Sequence, residues 1–393
     1  MLQIVFFLVL ILGLIFHKSK VIRYLLISYI FIVMTLNSYN PDYNSYNLIY
    51  ANPDAAQEEI GFRYLCKLGN LFNLSYNMFH FIIVFVALVL FIRGVKTLCK
   101  FEEVIPSNFY LVSYMLFPMI LDVVLLRSFL STCIIIYSLH FLYEKKNGKY
   151  IIGVLCASTI HISSIFFFAL LLFNIFESRP LNKRRSINFR KIVWKRKTDK
   201  EPVIRKRYRW VKFCGIASII VLFLALKTQI LQVFLKSMGF NSLKITLWLD
   251  GSNISIRMVI ICAVLNLANF IAYCFIRKVT FKGQYINDIK NIDRLMYSIN
   301  YILLINIVLM VYSEQFIRLL GVGVIINSIY YSIILRKERK QRHRCMIMMC
   351  GIVPALSLFV YRMFAYVTPD GTRYIEYVFK CVLENNFLLK IFR

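Results

Sequence analysis

Five places in the chain set ionisable side chains in or beside long apolar runs, where burying a charge is costly and usually functional. Glu58, Glu59 and Arg63 stand in "EEIGFRY", and Asp122 and Arg127 flank the turn in "LDVVLLRSFLS". His161 lies in "STIHISS", Asp250 and Arg257 in "WLDGSNISIR", and Glu314 and Arg318 in "YSEQFIRLL". Arginine presents a planar fork of donors that matches phosphate oxygens, while a neighbouring carboxylate or imidazole can move a proton. Arg127, Arg257 and Arg318 sit at the mouths of apolar runs that can face one cavity. They would form a clamp for a membrane-embedded substrate with a pyrophosphate head. Each site also has a structural alternative. Glu314 and Arg318 are spaced as a helix-end ion pair, Asp122 and Arg127 can neutralise each other at a turn, and His161 can bond to a neighbouring helix.

A sixth stretch differs in kind. Asn40 to Tyr64, "NPDYNSYNLIYANPDAAQEEIGFRY", is acidic and rich in Tyr and Asn in a chain of net charge +29. Its Tyr and Asn residues suit stacking on sugar rings and hydrogen bonding to hydroxyls. An interfacial aromatic belt is the competing reading.

These residues must be carried by membrane helices. The chain is 59% hydrophobic and 17% charged, against about a quarter charged in soluble domains. Apolar runs near span length recur at 2–16, 21–37, 78–93, 107–121, 123–143, 150–176, 211–235, 257–276, 295–312, 318–335 and 345–366. The run 150–176 is too long for one ordinary span and has basic segments at both ends, so it reads as two short helices turning near His161. The expectation is an all-α integral membrane protein, a single polytopic bundle of about 12 transmembrane helices over 1–393. Met1 to Phe16 lacks a basic leader and a small-residue cleavage site and reads as a retained span. The ten cysteines form no CxxC and no Cys/His cluster, so neither a metal site nor a disulfide framework is expected.

Alternating the spans sorts the charge. The segments 17–23, 93–103, 144–149, 177–212, 277–294 and 336–344 hold 35 Lys and Arg against 9 Asp and Glu, a net of +26, and the remainder nets +3. The positive-inside rule puts the first set in the cytoplasm, with both termini and the 37–77 loop outside. The basic loop 177–212 resembles a nucleic-acid arm or a lipid-binding patch, but it carries no nucleic-acid motif and reads as a solvated loop that enforces topology.

The segments "DYNSY" after the second span, then "EEIGFRYL", then "SYMLFPMILDVVLLRSFLSTCIIIYSLHFLYEKKNGKYIIGVLCASTIHISSIFF" follow in an order that resembles the EpsG-like/Wzy-type polysaccharide polymerases of bacterial membranes. Ser128 stands where the family commonly has Gln after the arginine. The resemblance implies a GT-C-like bundle in the bacterial cytoplasmic membrane. It also implies a cofactor-independent glycosyltransferase that polymerises oligosaccharide units carried on undecaprenyl diphosphate. His161, Glu59 and Asp42 would be catalytic, and Arg127, Arg318 and Arg257 would hold the diphosphate. Tyr43, Tyr46, Asp122 and Glu314 would contact sugar. Expected partners are the lipid-linked oligosaccharide, membrane lipid, and a chain-length regulator and flippase of the same pathway, with no nucleic acid. A flippase or exporter of lipid-linked oligosaccharide and a membrane O-acyltransferase are the rival readings. The gathering of charges at outer mouths, not in a central cavity, argues against the flippase.

The topology is testable directly. A thiol-reactive reagent applied from outside should label Ser45→Cys and not Ser186→Cys, in a background from which accessible native cysteines are removed. The reverse pattern would overturn the orientation.

Overall fold

The computed structural model describes residues 2–54, 59–171, 256–281, 290–309, 317–338, 340–365 and 373–387. Every regular element among them is helical. Leu2–Ile15 (α1) and Lys20–Thr35 (α2) form an opening hairpin, and Ser19 caps α2 by accepting from the Ile22 amide at 3.3 Å. Tyr43–Ala51 (α3) and Ile60–Leu71 (α4) fold the stretch expected as a loop. The physical reason is spacing: Tyr46 and Tyr50 on α3, and Phe62 and Cys66 on α4, each lie four apart and bury one face. Then follow Tyr76–Lys100 (α5), Phe109–Leu116 (α6), Met119–Val124 (α7), Leu126–Tyr143 (α8) and Asn147–Ile160 (α9). A 3-10 segment, Ile162–Phe168, comes next. The remaining described α-helices are Ile256–Phe281 (α10), Lys290–Leu303 (α11), Asn306–Leu309 (α12), Ile317–Lys337 (α13), Gln341–Val360 (α14) and Cys381–Glu384 (α15), with π-helical turns at Tyr361–Ala365 and Ile375–Lys380.

Five helices among the described residues are long and apolar enough to cross a membrane: Tyr76–Lys100, Leu126–Tyr143, Val259–Val279, Ile317–Lys337 and Gln341–Phe364. The 107–121 run, expected as one span, is divided between α6 and α7 at Phe117–Pro118, whose peptide bond is cis. The chain does turn at His161, because the Tyr150 hydroxyl donates to the Phe167 carbonyl at 2.9 Å across the break. The 177–212 loop and the 211–235 run lie outside the described residues.

The bundle is organised around α13, which is buried at every position from Leu319 to Leu335, as expected of a helix apolar on all sides. Helix α6 and α11 pack on it, while α5, α8 and α9 form an adjoining layer. Gly94 on α5 lies so near α8 that an added Cβ would come within 2.9 Å of the Tyr137 Cα, a close approach that only a small residue permits. Asn327 of α13 is buried. It exchanges two hydrogen bonds with Asn300, at 2.6 and 2.8 Å, and donates to Asn269 at 3.1 Å.

Polar contacts collect at two ends of this bundle. At one, Arg23 reaches Asn108 at 3.1 Å, Arg336 donates to the Lys18 carbonyl at 3.0 Å, and Lys337 stands 3.6 Å from Glu102. Arg277 pairs with Asp293 at 2.9 Å, and Tyr330 donates to the same carboxylate at 2.8 Å. The charged members of this pole all belong to the segments grouped by the charge count. The opposite pole, about 27 Å away along α13 at 1.5 Å per residue, holds Asp42, Glu59, Arg127, His161 and Arg318.

The asparagine triad gives a test of the core. Asn327→Leu leaves two buried amides without their partner and should lower stability by about 1–2 kcal/mol, read from thermal or denaturant unfolding in detergent. An unchanged midpoint would mean that the triad does not hold α13.

A candidate active site at one pole of the bundle

Glu59 is the N-cap residue of α4, and its position is set by close packing below it. Gly61 lies against α9, where a Cβ would come within 2.8 Å of the Thr159 backbone. That approach carries Glu59 to His161, two residues beyond Thr159. One carboxylate oxygen of Glu59 bonds to Arg127 at 2.5 Å and the other faces His161 Nδ1 at 3.3 Å. All three side chains are largely buried, at 12%, 19% and 7% exposure for Glu59, Arg127 and His161.

Arg127, on the first turn of α8, is also held by rings. Its guanidinium lies 5.6 Å from the Tyr46 centroid and 5.7 Å from that of Phe62. Tyr46 is buried, so its ring packs beneath Arg127 and presents no open face to a sugar. Tyr43 is half-buried, edge-on to Tyr76 at 5.1 Å and 5.6 Å from the more exposed Tyr39.

Arg318, at the head of α13, reaches His161 from the other side, with Nη1 at 3.3 Å from Nε2. A guanidinium only donates, so Nε2 must be the accepting nitrogen, and Nδ1 then carries the proton donated to Glu59. The neighbours thus fix a neutral imidazole in one tautomer. The order of contacts is Arg127, Glu59, His161, Arg318.

Asp42 joins from the turn before α3. Burial raises its carboxyl above the usual range, while Arg318 and Arg127 oppose that shift. Its place is set by a polar strap from the far end of the chain. The Asn40 side chain accepts from the Asp42 amide and donates to Asn37, while Asn37 donates to the carbonyls of Val382 and Asn385. Asp122 is buried on α7 within electrostatic reach of Arg318, and one of its oxygens has no hydrogen-bond partner. The groups that act on Asp122 are Tyr114, its hydrogen-bond partner, and Arg318. The side chain of Arg257, on the first turn of α10, lies outside the described residues, as do Glu314 and Asp250.

Arg362 was not singled out from sequence. It lies in the π-helical turn Tyr361–Ala365 that ends α14, 4.7 Å over the Tyr374 ring, and is coupled electrostatically to Arg318. The available signal was its position, a lone arginine late in the 345–366 run. Arg127, Arg362, Asp42 and Asp122 thus lie within electrostatic reach of Arg318, while Glu59 and Arg318 contact His161 directly. Among the described residues no three His, Cys, Asp or Glu side chains are grouped to hold a metal ion.

A helical chain with several membrane-spanning helices that concentrates buried arginines, carboxylates and a histidine at one pole is an integral membrane protein with a buried polar centre. The EpsG family model matches residues 20–189, which contain Asp42, Glu59, Arg127 and His161, so the resemblance drawn from this half of the chain is borne out. No curated protein and no solved structure matches the chain.

A double-mutant cycle on Glu59→Gln and Arg127→Gln should give a coupling of about 1–3 kcal/mol in unfolding stability, as expected for a buried charged pair in contact. Additive effects would place the two side chains apart.

Proposed function

We propose that this protein is a polymerase of polysaccharide assembly. It would join oligosaccharide units carried on undecaprenyl diphosphate at the outer face of the bacterial cytoplasmic membrane. The observation that carries this reading is the joining of Glu59, Arg127 and His161 with Arg318 and Asp42 at the pole away from the excess basic charge. A bundle of about 12 spans of GT-C-like form, with both termini outside, belongs to the same reading.

In the transfer, an acceptor sugar hydroxyl attacks the anomeric carbon of the donor. The new carbon–oxygen bond forms as the bond to the diphosphate breaks, and the diphosphate leaves with the bonding electrons. A diphosphate is a good leaving group, so the protein's main tasks are positioning and charge stabilisation. Arg318 and Arg362 are assigned to the diphosphate. Arg127, bound to Glu59 and the rings of Tyr46 and Phe62, acts chiefly to hold Glu59 in place. His161 Nε2 receives the hydroxyl proton, and Glu59 stabilises the resulting imidazolium. Asp42, Tyr43 and Asp122 are assigned to the sugar side.

Purified protein in liposomes with lipid-linked repeat units should produce a ladder of chain lengths. His161→Gln should reduce that ladder by about 100-fold or more, the usual contribution of a general base, with single units accumulating on lipid. Movement of repeat units across the bilayer without a ladder would replace the polymerase by a transporter. Activity within a few-fold of the parent in His161→Gln would remove the base from the histidine.

A further inference from the structure

The atom of His161 that the proposed reaction needs is occupied. Nε2 is the only nitrogen of this imidazole with a free pair, because Nδ1 carries the proton that faces Glu59. Arg318 Nη1 stands at that pair, 3.3 Å away. A hydroxyl approaching Nε2 would meet a guanidinium donor, and a donor cannot take its proton.

The arginine in that position is also the one most open to recruitment. Arg127 is bound to Glu59 at 2.5 Å and is flanked by two aromatic rings. Arg362 lies over Tyr374. Among the described residues the hydrogen bond of the Arg318 guanidinium is the one to His161, and a guanidinium has five donors. Arg127 and Arg362 both repel it, and Asp42 attracts it without bonding to it. An arriving anion with several oxygens offers this side chain more than one imidazole nitrogen does.

We propose that Arg318 is a positioning residue that latches the base: it holds His161 in the productive tautomer with Nε2 capped, and releases Nε2 when a diphosphate draws its guanidinium away. This inference rests on the polymerase reading and adds an order to it. The donor's diphosphate must be seated before His161 can accept the proton of an acceptor hydroxyl. The proton then moves from the hydroxyl oxygen to Nε2, that oxygen bonds to the anomeric carbon as the carbon–diphosphate bond breaks, and the diphosphate leaves with the bonding pair on its own oxygen, held by hydrogen bonds from Arg318. With no diphosphate present the base stays covered, which keeps it from activating water.

The chain has five histidines, few enough to resolve by nitrogen NMR of 15N-histidine-labelled full-length protein in detergent, with the His161 signals assigned by their loss in His161→Gln. The probe is inorganic pyrophosphate, whose binding is followed separately by calorimetry. In the parent protein, saturation should move the Nε2 resonance of His161 from that of a hydrogen-bonded acceptor to that of an uncapped nitrogen. Arg318→Leu should have the uncapped resonance from the start and not respond. Arg318→Lys, which still donates, should keep Nε2 capped without pyrophosphate, and it serves the test even if the leucine variant folds poorly. A purely structural role for Arg318 predicts no pyrophosphate-dependent change at this nitrogen. Pyrophosphate that binds and leaves Nε2 unmoved overturns the latch alone, and the diphosphate reading survives. Pyrophosphate that does not bind at all removes the diphosphate reading, and the latch falls with it.

Discussion

The Glu59 carboxylate, shared between Arg127 and His161, is the contact on which the polar centre depends. A membrane interior supplies no water to satisfy a stray charge, so ionisable groups carried on spans must find one another. Glu59 does this for two partners from different helices, α8 and the break after α9. Through His161 it reaches a third, Arg318 on α13. One acid from the segment between the second and third apolar runs thereby ties together helices that are far apart in sequence.

Close packing makes that contact geometrically available. Gly61 lets α4 lie against α9, and Gly94 lets α5 lie against α8, so backbones approach where larger side chains would hold them apart. The strap of Asn37, Asn40, Asn385 and Asn386 performs the matching task for Asp42. Asn386 donates to the Ile32 carbonyl at the end of α2, and the Phe387 amide bonds to the Leu36 carbonyl. The end of α2 and the segment after α15 are thus joined at the same pole as the site.

The arginines divide their tasks according to what already surrounds them. Arg127 is engaged by a carboxylate and two rings, which suits a strut. Among the described residues Arg318 is hydrogen-bonded to one neutral imidazole and lies near Asp42 and Asp122 without bonding to Asp42, which suits a group that moves onto a ligand. Arg362, over Tyr374, supplies further positive field. Residue type alone treats all three as equal, since each is an arginine late or early in an apolar run.

Much was legible from sequence because a bilayer imposes simple rules. Apolar runs marked the helices, and the charge count set Arg23, Arg277, Arg336 and Lys337 apart from Glu59, Arg127 and Arg318, which the tertiary structure keeps at opposite poles. Isolated ionisable residues beside those runs, Glu59, Arg127, His161 and Arg318, pointed to one site, and the turn at His161 followed from the length of its run. Other features had no local signature. Helices α3 and α4 looked like a loop because their burial depends on Phe79 and Tyr76 from another span. Tyr46 looked like a sugar platform, yet it lies beneath Arg127. Arg362 had no marked neighbours in sequence, and Asn385 and Asn386 become a strap only against α2. The sequence by itself determined which residues must cluster, because burial of a lone charge is too costly. The tertiary structure alone decided which partner each one takes, because hydrogen bonds between distant helices depend on distances of a few ångströms that no local pattern encodes.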